Sequence, residues 1–142
     1  MRKLNTSEYI GRFVETLFQN YMTQPGQIDL KYDIEDIVLD VDTMIPLGLI
    51  INELVSNVLK YAFPDDAGGE LGISLKKAGE NSYELIIRDT GPGLPEDLDL
   101  KNAESLGLMI VNALVHQIHG TLEVSNRAGA EFRIAFADKF IV

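Results

Sequence analysis

Thr43-Met-Ile-Pro-Leu-Gly-Leu-Ile-Ile-Asn-Glu-Leu-Val-Ser-Asn-Val-Leu-Lys-Tyr-Ala62 is the stretch that decides the fold. With successive residues about 100° apart on a helix, Leu47, Ile51, Leu54, Val58 and Ala62 fall within about 80° of one another and make a core-facing stripe. Asp42 or Thr43 can cap its start, Pro46 suits a first turn, and Pro64 followed by a polar Gly-containing run ends it near Ala62. Glu53, Asn57 and Lys60 stand at i, i+4 and i+7 and cluster within roughly 60° on one flank of the stripe. A carboxylate there can orient or deprotonate a nucleophile, a carboxamide offers a hard oxygen to Mg²⁺, and an ammonium neutralises phosphate. The same three residues also fit an ordinary solvated flank with an i,i+4 pair.

Working outward, Tyr9, Ile10, Phe13, Val14, Leu17, Phe18 and Tyr21 repeat at helical spacing, which predicts a first helix from Ser7 to about Met22. Ile28, Leu30, Tyr32 and Ile34 alternate with Asp29, Lys31 and Asp33, the period of a half-buried strand. Strands are expected at Leu71–Lys76 and Tyr83–Arg88, joined through Gly79-Glu-Asn81. A third helix capped by Ser105 should stop at Gly120, a natural left-handed C′ glycine. Thr121–Ser125 and Glu131–Phe136 flank Asn126-Arg-Ala-Gly129 and read as a hairpin. About three helices against a mixed, mostly antiparallel sheet is an α+β, two-layer α/β sandwich. With no internal repeat and no linker, 142 residues are expected to form a single domain.

Composition narrows the function classes. The chain has 22 acidic and 12 basic residues, a formal charge of −10, which repels DNA and RNA while leaving a small anion in a preformed pocket possible. It has no cysteine, so disulfides, thiolate metal sites and cysteine nucleophiles are excluded. No apolar run reaches the roughly 20 residues that span a bilayer. A cytoplasmic setting without membrane contact is expected.

Two further segments carry chemistry. Asp89-Thr-Gly-Pro-Gly-Leu-Pro95 follows the apolar strand Leu85-Ile-Ile87. Its glycines allow close backbone approach, and an aspartate at a strand end can accept a hydrogen bond from an exocyclic amine. Ser105-Leu-Gly-Leu108 opens the third helix, whose free N–H groups favour an anion, with Gly107 letting a phosphate come near the main chain. Either alone reads equally as a tight turn or a capped helix. An aspartic-protease reading of Asp89-Thr-Gly91 fails because those enzymes are almost all β, whereas two long helices are expected here.

In this order Asn52-Glu-Leu-Val-Ser-Asn-Val-Leu-Lys-Tyr-Ala-Phe63, Asp89-Thr-Gly-Pro-Gly-Leu-Pro95 and Ser105-Leu-Gly-Leu-Met-Ile-Val111 resemble the N, G1 and G2 boxes of the GHKL ATPases, the superfamily of gyrase, Hsp90 and the histidine kinases. Pro46-Leu-Gly-Leu-Ile-Ile-Asn-Glu-Leu54, Glu104-Ser-Leu-Gly-Leu108, His119-Gly-Thr-Leu-Glu-Val124 and Gly129-Ala-Glu-Phe-Arg-Ile134 are similar to the short-lid subgroup of sensor histidine kinase catalytic domains. The resemblance covers about residues 5–137.

It implies a Bergerat-type fold binding ATP and Mg²⁺. Asp89 would read the adenine amino group beside Gly91 and Gly93, and Asn57 would hold Mg²⁺, with Glu53 at the box's acidic position. Lys60 would meet phosphate, Tyr61 would border the nucleotide, and Leu106, Gly107 and Leu108 would bring main-chain contacts to the phosphates. Gly93–Glu104 would be the lid, mobile without nucleotide. Ala130 stands where related kinases commonly have threonine, which implies one phosphate contact fewer. The expected partners are a histidine-bearing dimerisation domain and, through it, a response regulator, with this domain itself a monomer. His116 and His119 are expected to be partly exposed residues at a helix end rather than acceptors. The alternatives are an anti-sigma-factor-like serine kinase and a non-catalytic nucleotide-binding module.

Overall fold

The computed structural model describes residues 3–21, 28–61, 69–90, 106–125 and 129–137. Their elements are β1 (Lys3–Asn5), α1 (Thr6–Tyr21), β2 (Ile28–Ile34), β3 (Val38–Asp40), α2 (Val41–Tyr61), β4 (Gly69–Gly79), β5 (Ser82–Asp89), α3 (Leu106–Gln117), β6 (Thr121–Ser125) and β7 (Glu131–Ala137). Five strands form one mixed sheet in the order β2-β4-β5-β7-β6, in which β2 and β4 are parallel and every other pair is antiparallel. Parallel neighbours need a crossover, and the one from β2 to β4 contains α2. The α/β sandwich expected from the sequence is the fold observed.

The register aligns the apolar alternation across the sheet. Ile34, Leu75, Leu85, Ile134 and Leu122 form one row through all five strands, and Tyr32, Ile73, Ile87, Phe132 and Val124 form the next. The helices close over these rows. Leu47, Ile50, Ile51, Leu54 and Val55 of α2 are wholly buried together with Ile10 and Val14 of α1 and Val111 of α3. The buried arc of α2 is wider than the predicted stripe because α2 lies between α1 and α3 as well as on the sheet. Val41–Val58 is long and apolar enough to cross a bilayer, but 61% of it is buried inside the fold, the pattern of a core helix.

Three features depart from expectation. First, α2 begins at Val41, and its cap is Asp40, whose Oδ2 accepts the Asp42 N–H at 2.9 Å. Asp42 lies in the first turn instead, and Pro46 falls one turn later than expected. The cause is non-local: β3 pairs antiparallel with β1, Lys3 opposite Asp40, and the helix starts where that pairing stops. Second, β1 and β3 themselves were not expected. Third, α3 ends at Gln117, and the left-handed residue is His119 (φ 56°), not Gly120. His119 N–H donates to His116 O at 3.0 Å and Gly120 N–H to Val115 O at 2.9 Å, the paired bonds of a Schellman end. Gly120 is glycine for space: a Cβ there would lie 2.7 Å from the Ala135 carbonyl oxygen. His116 and His119 are both exposed, as expected.

Candidate functional site

Along β5 the alternation Tyr83, Leu85, Ile87 points side chains into the core, and position 89 continues that phase. The residue there is Asp89, 5% exposed, opposite Leu71 at the end of a core-facing row. A carboxylate in an aliphatic row is costly unless partnered. Its main chain and side chain both meet the start of β7: Asp89 N–H donates to Ala130 O at 3.0 Å, and Ala130 N–H donates to Asp89 Oδ1 at 3.4 Å. On the other side the next residue is tied to β4. Thr90 N–H donates to Glu70 O at 3.0 Å, and Glu70 N–H donates to Thr90 Oγ1 at 2.8 Å. Asp89 therefore sits where the sheet ends, with both neighbouring strands fastened to it or to the residue after it.

Glu53 and Asn57 are half-buried, one turn apart on the flank of α2. This helix packs on β5, the strand that ends at Asp89, and against α3. Lys60 and Tyr61 are in the last turn of α2, and Leu106, Gly107 and Leu108 are the first three residues of α3. The side chains of these five, together with Gly91, Gly93, Ser105 and the Gly93–Glu104 segment, lie outside the described residues. So do the turn through Asn126-Arg-Ala128 and the stretch that would end α2.

Ala130, where the resemblance implies one phosphate contact fewer, is 2% exposed and its N–H donates to Asp89, the residue assigned to adenine. Three residues of this corner were not singled out from the sequence. Thr90 and Glu70 meet only because β4 and β5 pair, and Gly129, read as a turn glycine, packs on Asp89 across 40 positions of chain. The period-two phase of Tyr83, Leu85 and Ile87 is the sequence signal that places Asp89 inside.

A divalent ion fits this donor set in one way. Among the described residues no group of three or more His, Asp or Glu side chains could cage it. One carboxamide oxygen from Asn57 suits Mg²⁺ that keeps its waters and arrives on phosphate oxygens. A groove of about 470 Å³ lies elsewhere, on the outer sheet face over Gly72. In it Lys76 pairs with Asp33 at 2.9 Å, and Arg88 at its edge reaches Glu70 at 3.8 Å.

A five-stranded mixed sheet under three helices, with a buried aspartate at the end of a central strand and an Asn–Glu flank on the helix that packs on that strand, defines an ATPase-type α/β sandwich. The family model for histidine kinase-, DNA gyrase B- and HSP90-like ATPases matches residues 43–139, and the chain belongs to that family. Blue-light-activated histidine kinase 2 of Erythrobacter litoralis is 29% identical over 117 residues, covering 82% of this chain and 33% of that protein. Sensor histidine kinase PdtaS of Mycobacterium tuberculosis is 36% identical over 87 residues, 60% of this chain and 17% of that protein. The solved histidine kinase domain of the Erythrobacter litoralis EL346 blue-light-activated kinase superposes with a TM-score of 0.88 at 26% identity, over 95% of this chain and 62% of that one. The chain thus spans a third or less of the length of these two curated relatives.

Proposed function

We propose that this chain binds ATP with Mg²⁺ and donates the γ-phosphoryl group to a histidine on a separate dimerisation domain, as the catalytic domain of a two-component sensor kinase. The observation that carries the reading is Asp89, an acidic side chain held at a core position at the end of a central strand. Family membership supports the choice of nucleotide.

Asp89 accepts the hydrogen bond of the adenine amino group. Asn57 offers its carboxamide oxygen to the metal, which supplies charge neutralisation of the phosphates when bound. Glu53, one turn away, orients or deprotonates the attacking imidazole, and Lys60 adds positive charge near the phosphates. The N–H groups of Leu106, Gly107 and Leu108 lie unpaired within their own helix, as at any helix start, and meet phosphate oxygens. Tyr61 borders the nucleotide, and Gly91 and Gly93 form the wall behind the base. The imidazole nitrogen forms a bond to the γ-phosphorus as the bridging oxygen leaves with ADP, so catalysis is positioning and neutralisation rather than a covalent step on this domain. The proposal carries a cytoplasmic setting, a response regulator downstream, and a monomeric state for this domain alone.

The test incubates the chain with radiolabelled ATP, Mg²⁺ and the dimerisation domain of a histidine kinase. Acid-labile, base-stable label on that domain, lost in Glu53→Gln, is the expected result. Acid-stable label would instead indicate transfer to serine, and magnesium-dependent ATP binding with no transfer to any supplied domain would indicate a nucleotide-binding module.

A further inference from the structure

Gly129 has φ +110°, a conformation side chains rarely tolerate. A Cβ at this position would overlap the Asp89 carbonyl oxygen and lie 2.9 Å from its carbonyl carbon and 3.2 Å from Oδ1. The start of β7 therefore lies against both the main chain and the carboxylate of Asp89, and only glycine permits that approach. Ala130 follows, buried, with its N–H on Asp89 Oδ1 and its carbonyl accepting the Asp89 N–H. Rotation of a carboxylate about its last bond is soft. A main-chain donor beside one oxygen restricts that rotation and so contributes to where the other oxygen points.

We propose that Gly129 and Ala130 are positioning residues for base selection: they set the orientation of the Asp89 carboxylate, and through it the preference for a purine carrying a 6-amino group. The inference rests on the reading that Asp89 receives that amino group. It assigns specificity to a segment 40 residues from the acid in sequence, through contacts that require no touch on the nucleotide.

The experiment compares dissociation constants of ATP and purine riboside 5′-triphosphate, which lacks the 6-amino group, for the full chain and for Gly129→Ala, each checked for a cooperative melting transition. The unmodified chain should prefer ATP by about tenfold or more, the scale of a hydrogen bond to a charged group. Gly129→Ala should bring the ratio close to one by losing affinity for ATP alone, and combining it with Asp89→Asn should add nothing further. A variant that merely loosened the fold would weaken both nucleotides together. Ala130→Pro, which removes the N–H and keeps the carbonyl, provides a second variant with the same expectation. In the unmodified chain, the Ala130 amide resonance should move on ATP addition and much less with the analogue, a readout that needs no variant to fold.

If the unmodified chain binds both nucleotides equally, the role of Asp89 itself is overturned. If it prefers ATP but a folded variant keeps that preference, or the Ala130 amide ignores ATP, the positioning role alone is overturned.

Discussion

A carboxylate in a row of aliphatic side chains must be partnered, and Asp89 shows how far sequence can take that inference. Tyr83, Leu85 and Ile87 fix the phase of β5, so the inward position of residue 89 is readable from the chain. Its partner is not, because Ala130 reaches it through strand pairing and no local pattern links positions 89 and 130. Asp89→Asn should keep an acceptor for Ala130 and leave the melting temperature nearly unchanged, while weakening ATP by about tenfold or more in competition binding. The end of α3 teaches the same lesson with the opposite error. A glycine at position 120 was read as the left-handed residue, yet His119 takes that conformation, which histidine adopts more readily than most side chains. Gly120→Ala should cost about 1–3 kcal/mol in urea unfolding, since the obstacle at 2.7 Å is backbone that cannot rotate away. His119→Gly should change stability by less than about 1 kcal/mol, because relief of the left-handed strain is offset by glycine's greater freedom when unfolded. Equal costs for the two would contradict this division of roles.

Elements with long, regular periods were legible, and those set by pairing were not. The strand Ile28–Ile34 has its predicted bounds, and β6 and β7 flank the expected hairpin. By contrast β1 and β3 have three residues each, too few to show a period, and exist because each is the other's partner. Their pairing moves the cap of α2 from Asp42 or Thr43 to Asp40. Asp40→Ala should destabilise the protein by about 0.5–2 kcal/mol, the usual range for a lost N-cap, whereas Asp42→Ala should cost much less. Between α1 and β2, Tyr32 donates its phenol to Glu15 at 2.7 Å. That hydrogen bond, and then the glutamate's charge, raise the phenol above its ordinary 10.0. Because the folded value is the higher one, the contact contributes fully below pH 10.0 and is lost as pH rises through the raised value. Tyr32→Phe should remove a late-ionising component from the ultraviolet titration. An unchanged titration curve would mean that the bond does not hold Tyr32 neutral.

At the scale of the molecule, two apolar rows through five strands and a helix buried on most of its circumference make one core cluster. Leu85 stands in the middle of one row and is wholly buried, so Leu85→Ala should cost about 2–5 kcal/mol by thermal or urea unfolding. This layering was readable because both periods, two and 3.6, are clean in the sequence. The parallel pairing of β2 with β4 was not, since it depends on how α2 crosses over the sheet. The layered fold also carries the two halves of the proposed site: α2, which packs on β5, bears Asn57 on one flank, and β5 ends at Asp89. The central claim, a magnesium-dependent ATP site on that frame, is tested most directly by calorimetric titration of the chain with ATP, with and without Mg²⁺, beside Asn57→Ala. The account predicts saturable binding that needs Mg²⁺ and disappears in the variant. Binding of equal strength in Asn57→Ala, or none in the unmodified chain, would contradict it.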